Sequence, residues 1–161
     1  MKIAFTGTHG VGKTTSCFEL AHRMKLEHQN ERVIVICENA SHSPYPINKK
    51  TTHKSQLWIY TSQLALELEY EAKYDIVICD RTIVDAIAYT AVAGRKALTN
   101  AMMLLATQHI RGYDRVIMKL LANNQYQKED GVRDQDTEFR VKVEEELKKL
   151  YGMLSVKVEE E

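Results

Sequence analysis

Short, dense apolar runs alternate along the chain with longer stretches whose apolar residues recur every three or four positions. Residues 2–5, 32–37, 75–79 and 115–121 are short and rich in β-branched side chains, which predicts buried strands. The second run, RVIVIC, has the pattern of a strand buried on both faces. Residues 14–28 place Phe18, Ala21 and Met24 near helical spacing, and residues 51–73 form a long stretch without Gly or Pro. Both read as helices, as do 82–93 and 98–111, which are broken near Gly94, and the charged segment 136–150. Residues 155–158 predict a last short strand. The segment 38–50 carries the two prolines, Pro44 and Pro46, and 123–131 is polar; both read as loops.

Strand and helix in strict alternation imply a parallel sheet with helices on both faces. The expectation is an α/β protein: one three-layer α/β/α domain over residues 1–161 with a five-stranded parallel sheet. Ligands of such sheets bind outside the carboxyl ends of the strands.

Composition narrows the partners. The 161 residues hold 22 Lys plus Arg against 22 Asp plus Glu, and a zero formal charge disfavours extensive duplex binding. Charged residues at 27% and apolar residues at 44% fit a soluble globular domain. No apolar run approaches the ~20 residues of a membrane span. The amino terminus turns polar after Phe5, too early for a signal peptide. Cys17, Cys37 and Cys79 are scattered without ligand spacing, as reduced thiols of a cytoplasmic protein would be.

The sharpest chemical signal follows the first predicted strand. Gly7-Thr8-His9-Gly10-Val11-Gly12-Lys13-Thr14 fits the phosphate-loop pattern G-x-x-x-x-G-K-[ST] in full, between a strand and a helix. Glycines let backbone N–H groups turn toward phosphate oxygens, and the helix terminus adds partial positive charge. Lys13 is expected on the β- and γ-phosphates of ATP, the Thr14 hydroxyl on Mg²⁺, and Thr15 in the same first turn. His9 occupies a variable slot of the loop and is expected near phosphate or exposed.

A switch GTPase would need Asp-x-x-Gly after the third strand and Asn-Lys-x-Asp after a later one. No aspartate is followed three positions later by Gly, and Asn48-Lys49 continues as Lys50-Thr51. Asp80-Arg81 at the end of the third strand resembles the Asp-Arg pair of thymidylate and deoxynucleoside kinases. Asp130-Gly131-Val132-Arg133 with Arg140, and Glu38-Asn39-Ala40 with Gln56 and Gln63-x-x-x-Glu67, resemble the ribosylnicotinamide-kinase type of domain.

Asp80, at the end of an apolar strand, can hold Mg²⁺, as phosphoryl transfer requires; a charge at the start of the next helix is the alternative. Thr82 and Asp85 have the spacing of a capping box. Arg81 reaches either the transferring phosphoryl and the acceptor, or pairs with Asp80 or Asp85. The resemblance implies that Glu38 faces the acceptor hydroxyl. It also implies that Arg133 and Arg140 close over the phosphates from a lid near residues 123–135. Gln56, Tyr60, Gln63 and Glu67 share one helix face, where a glutamine amide can read the edge of a base. Together these imply an ATP- and Mg²⁺-dependent kinase whose acceptor is nucleoside- or nucleotide-like. A hydroxyl within DNA is the alternative acceptor, a regulatory switch ATPase the alternative of another class, and a homodimer an open expectation for its assembly. The remaining histidines, His109 among them, have no metal spacing.

Overall fold

The computed structural model describes residues 1–47, 51–121 and 137–161. Five parallel strands lie in the order β2-β3-β1-β4-β5. They are β1 (Lys2–Thr6), β2 (Val33–Ile36), β3 (Ile76–Asp80), β4 (Arg115–Met118) and β5 (Glu159–Glu160). The helices are α1 (Lys13–Glu27), α2 (His53–Glu71), α3 (Ile83–Val92), α4 (Lys96–His109) and α5 (Thr137–Met153). Short 3-10 turns stand at Ala40–His42 and Ile110–Gly112. The architecture is the expected three-layer α/β/α arrangement.

Strand pleat sorts the core into two faces. Ile3, Phe5, Ile76, Ile78 and Ile117 point to one side, where Cys17 and Leu20 of α1 cover them. Ala4, Val77 and Cys79 point to the other, against Leu66 and Tyr70 of α2. On that side α2, α3, α4 and α5 share the larger apolar cluster around Tyr60, Ile87, Met102, Val143 and Leu147. Alternation is the expected consequence of a period of two. Among the described residues no helix is long and apolar enough to cross a membrane.

Two strand expectations are corrected. The RVIVIC run is not buried on both faces: β2 is an edge strand, and Val33, Ile34 and Val35 are half-buried. The last strand is not 155–158 but Glu159–Glu160, paired with Ile117 and Met118 of β4. Val156 and Val158 pack instead against the helical core, leaving the ladder to acidic residues. Arg115 grips the Glu159 carboxylate through Nε at 2.9 Å and Nη2 at 2.6 Å, an exposed bidentate pair alongside this ladder.

The topology sets β1 and β3 side by side, with Phe5 level with Asp80. Their carboxyl ends therefore deliver the loop after Thr6 and the Asp80-Arg81 pair to the same crevice.

Candidate active site

Gly7, Gly10 and Gly12 all have positive φ, the left-handed region that side chains resist. At Gly7 a Cβ would also lie 2.6 Å from the Lys119 carbonyl oxygen, so only glycine fits there. Gly12 occupies the N-cap of α1 and offers no side-chain bond to the first turn. The two helices that follow on the chain contrast with it: Thr52 with Ser55 caps α2, and Thr82 with Asp85 caps α3. The uncapped terminus of α1 leaves its N–H groups and partial positive charge to an anion. Val11 is buried beneath this loop.

Lys13 is buried, and its ammonium donates to the Thr8 carbonyl at 2.6 Å. Burial, followed by the neighbouring Arg81 charge, brings its pKa down to about 8 against the pull of Asp80, Asp85 and Glu38. The Thr14 hydroxyl donates a short hydrogen bond to the Asp80 carboxylate. A hydroxyl and a carboxylate side by side at a phosphate loop are the hard oxygen donors that Mg²⁺ favours, so this pair fits the ion. Thr15 is exposed.

His9 is not exposed. Its Nδ1 lies 3.1 Å from the Tyr89 hydroxyl, and its ring packs with Tyr89 and Phe139. These contacts tie the loop to α3 and α5. Arg140, in the first turns of α5, brings its Nη2 within 3.6 Å of where a Cβ on Gly10 would sit. Among the described residues its Nε and Nη2 are buried without a hydrogen-bond partner, as is the Thr8 hydroxyl oxygen. Buried guanidinium N–H groups left unpaired over a phosphate loop suit an anionic ligand. Arg133 and the segment 123–135 lie outside the described residues, as do Asn48, Lys49 and Lys50.

Arg81 is the centre of the second half of the site. Its backbone has φ 87°, a conformation costing a non-glycine residue about 1–2 kcal/mol. The fold holds it from every side. Its N–H donates to the Phe5 carbonyl at 2.9 Å, and its carbonyl accepts from Gln63 at 3.3 Å. Its guanidinium donates to Glu38 through Nε at 2.9 Å, and through Nη1 to the Gly7 carbonyl at 3.2 Å and Asp85 at 3.3 Å. The Tyr89 ring lies beneath it at 5.4 Å. Burial works against this charge, but Glu38 and the other surrounding groups outweigh it and raise the pKa further.

The pairing of Arg81 with Asp85 was one of the two sequence alternatives, and the contacts to Glu38 and Gly7 join it. Gln56 and Gln63 are both buried in α2. The Gln56 amide donates to Thr51 at 2.7 Å and accepts from Thr90 at 3.4 Å. Gln63 donates to Glu67 at 2.9 Å as well as to the Arg81 carbonyl. Tyr60 belongs to the core, with its hydroxyl donating to the Met102 carbonyl at 3.0 Å.

Two contributors were not apparent from the residues alone. Asp85 does more than cap α3: it also accepts from the Thr6 hydroxyl at 2.8 Å and the Gly7 N–H at 3.3 Å. It thereby ties the loop to Arg81. The T-x-x-D spacing revealed the cap but not these tertiary bonds. Tyr89, one turn further along α3, shares that face; the i,i+4 spacing from Asp85 was its only signal. Asn39, beside Glu38, is buried with Nδ2 unpartnered.

A family model described as an AAA domain matches residues 2–160. No curated protein matches the chain. Among solved structures the chain is similar to a deoxyadenosine kinase from M. mycoides bound to dCMP and a flexible dCDP. They share 18% identity over 100% of this chain and 88% of that one, at a TM-score of 0.69. The same enzyme with dATP bound gives 18% identity, 100% and 90% coverage, and a TM-score of 0.69. A thymidylate kinase from Ehrlichia chaffeensis gives 18% identity, 100% and 91% coverage, and a TM-score of 0.70. These likenesses show the fold.

Proposed function

The chain belongs to the AAA domain family, and within it we propose an ATP- and Mg²⁺-dependent kinase that moves the γ-phosphoryl group to a nucleoside- or nucleotide-like acceptor. One observation carries the reading: the Arg81 guanidinium is bonded at once to Glu38 and to the phosphate-loop carbonyl of Gly7. A carboxylate is thus set beside a phosphate-binding loop by a cation common to both, as transfer between two bound molecules requires. The fold likeness to deoxynucleoside and thymidylate kinases supports the acceptor class.

In this reading the Gly7–Thr15 loop and Lys13 bind the triphosphate. Thr14 and Asp80 would hold Mg²⁺, whose chemistry there is to neutralise charge on the phosphate oxygens. Glu38 orients the acceptor hydroxyl and takes its proton. Arg81 neutralises charge on the transferring group, while Arg140, joined by Arg133, excludes water above the phosphates. Gln56 and Gln63 support the acceptor side from α2. The protein supplies position and electrostatics, with no covalent intermediate.

The test is a screen of nucleosides, nucleoside monophosphates and oligonucleotides with γ-labelled ATP. The expected result is label transfer to one small-molecule class, with ADP release accelerated by that acceptor. ADP release indifferent to every acceptor would overturn the kinase reading in favour of a switch ATPase. Transfer to oligonucleotides alone would move the acceptor onto nucleic acid.

A further inference from the structure

At the opposite end of the sheet from the phosphate loop lies a polar cluster, buried at Lys2 and Glu67 and open to solvent at Glu71, that the reading above does not use. Lys2 opens β1, Glu67 and Glu71 lie on α2, His109 ends α4, and Tyr113 follows the 3-10 turn. The ligand atoms of Glu67, Glu71 and His109 lie within 4.8 Å of one another. The Lys2 ammonium donates to Glu67 at 3.2 Å and to Glu71 at 2.5 Å, with His109 Nε2 3.3 Å away. It also lies 4.0 Å from the centre of the Tyr113 ring. A cation is therefore built into the chain, and the cluster needs no metal.

The two oxygens of Glu67 have different partners. Oε2 receives Lys2, His109 at 2.7 Å and the Tyr113 hydroxyl at 2.6 Å. Oε1 receives the Gln63 amide at 2.9 Å. Gln63 Nε2 carries two hydrogens, and its second acceptor is the Arg81 carbonyl. Both neighbours of that nitrogen are pure acceptors while Glu67 is ionised. The reversed amide would set oxygen against oxygen at both contacts, so the carboxylate and the Arg81 carbonyl together dictate which way Gln63 faces.

We infer that Glu67 is a positioning residue for the proposed phosphoryl transfer: through Gln63 it fixes the Arg81 peptide, and with it the guanidinium that joins Glu38 to the phosphate loop. The inference rests on the kinase reading. Arg81 has a backbone that side chains resist, so its hold depends on the bonds at both of its peptides. Burial opposes the Glu67 charge, but His109, Lys2, Tyr113 and Gln63 outweigh it and keep the carboxyl below its usual range. Glu67→Gln replaces a pure acceptor by an amide that can also donate, which removes one of the two contacts that fix Gln63 and loosens its hold on the Arg81 carbonyl.

The test compares Glu67→Gln, Gln63→Met and Arg81→Ala, alone and in pairs, in the full chain. Single-turnover transfer to the acceptor found in the screen is measured together with the KM for ATP. Glu67→Gln and Gln63→Met should each slow transfer about tenfold with the ATP KM unchanged. Neither should slow it further in the Arg81→Ala background, because the line of action has already been cut. Additive losses would overturn the inference, since a residue acting only on stability would not be silenced by Arg81→Ala. If Glu67→Gln does not fold, Glu67→Asp, which keeps the charge but is one methylene shorter and so draws its oxygen away from Gln63, takes its place in the same pairs. Should the wild-type chain transfer to no acceptor, the kinase reading fails by itself. The ¹⁵N resonance of Arg81 Nε then decides the positioning claim: displacement or broadening in either variant supports it, and an unmoved signal overturns it.

Discussion

The Lys13 ammonium donates to the Thr8 carbonyl at 2.6 Å, so the phosphate loop is closed by its own lysine. With the pKa brought down to about 8 by burial and by Arg81, Lys13 begins to lose its proton in mild alkali. A bound polyphosphate keeps that proton in place. Affinity for ATP is therefore expected to hold at neutral pH and to fall above about pH 8, by at most about tenfold per pH unit. The folding sign is opposite. The folded chain holds this proton less tightly than the unfolded one, so the lysine's contribution to stability rises between about 8 and its ordinary 10.5. Calorimetric titration across this range checks the slope. Lys13→Ala should abolish both the affinity and its dependence on pH, with the fold retained.

The Thr14 hydroxyl and Asp80 carboxylate meet although 66 residues separate them. If they share a magnesium ion, Asp80→Asn should slow transfer far more than it weakens ATP binding. Saturation should also require more Mg²⁺, because a neutral amide oxygen is the poorer ligand. Thr14→Val should move the magnesium dependence in the same direction. An Asp80→Asn variant with an unchanged rate and magnesium midpoint would assign Asp80 to shaping the loop alone.

The parallel sheet and the phosphate loop were legible in the sequence because their signals are local. Dense β-branched runs make strands, and the glycines with Gly12-Lys13-Thr14 demand a strand before them and a helix after. Edge position was not local: RVIVIC reads like a central strand, and only the order β2-β3-β1 exposes one side of it. His9 was equally opaque, because its partners Tyr89 and Phe139 come from α3 and α5. Gln56, Tyr60, Gln63 and Glu67 form one stripe of α2, as their spacing implies, yet its burial gives the amides internal partners. Lys2 falls in the first strand, but nothing local to it names the partners of its ammonium. Its acceptors, Glu67 and Glu71, lie on α2 beside the end of α4, which only the fold brings to β1.

Asp85 gathers the Thr6 hydroxyl, the Gly7 N–H, the Thr82 N–H and hydroxyl, and Arg81. Asp85→Ala would leave buried donors and one guanidinium without this acceptor. A loss of about 3–5 kcal/mol is expected, the scale for breaking a buried pair from one side. Urea denaturation should show the midpoint falling with little change in slope. Asp85→Asn retains the shape and an acceptor oxygen, so its loss should be clearly smaller. Equal losses would show that shape, rather than charge, ties the loop to α3.

Glu67 gives the stability a dependence on acid that can be isolated. Its folded pKa lies below the usual carboxylate value of 4.5, because its hydrogen-bond and charge partners outweigh the opposing effect of burial. The folded state therefore binds fewer protons than the unfolded state between those two values, and stability rises with pH across that interval. The contribution is complete above the unfolded value and is lost as pH falls through the folded one. Glu67→Gln has no proton to exchange, so its stability should fall less steeply in acid than that of the wild type. Urea denaturation at pH values from about 3 to 6 measures both curves, and their difference removes the carboxylates that lie away from the cluster. Above this interval the difference should be constant, since Glu67 is then ionised in both states of the wild type. A wild-type curve parallel to that of Glu67→Gln throughout would mean that Lys2, His109 and Tyr113 do not hold the carboxyl in its charged form. The fixed orientation of Gln63 would then lose its electrostatic basis.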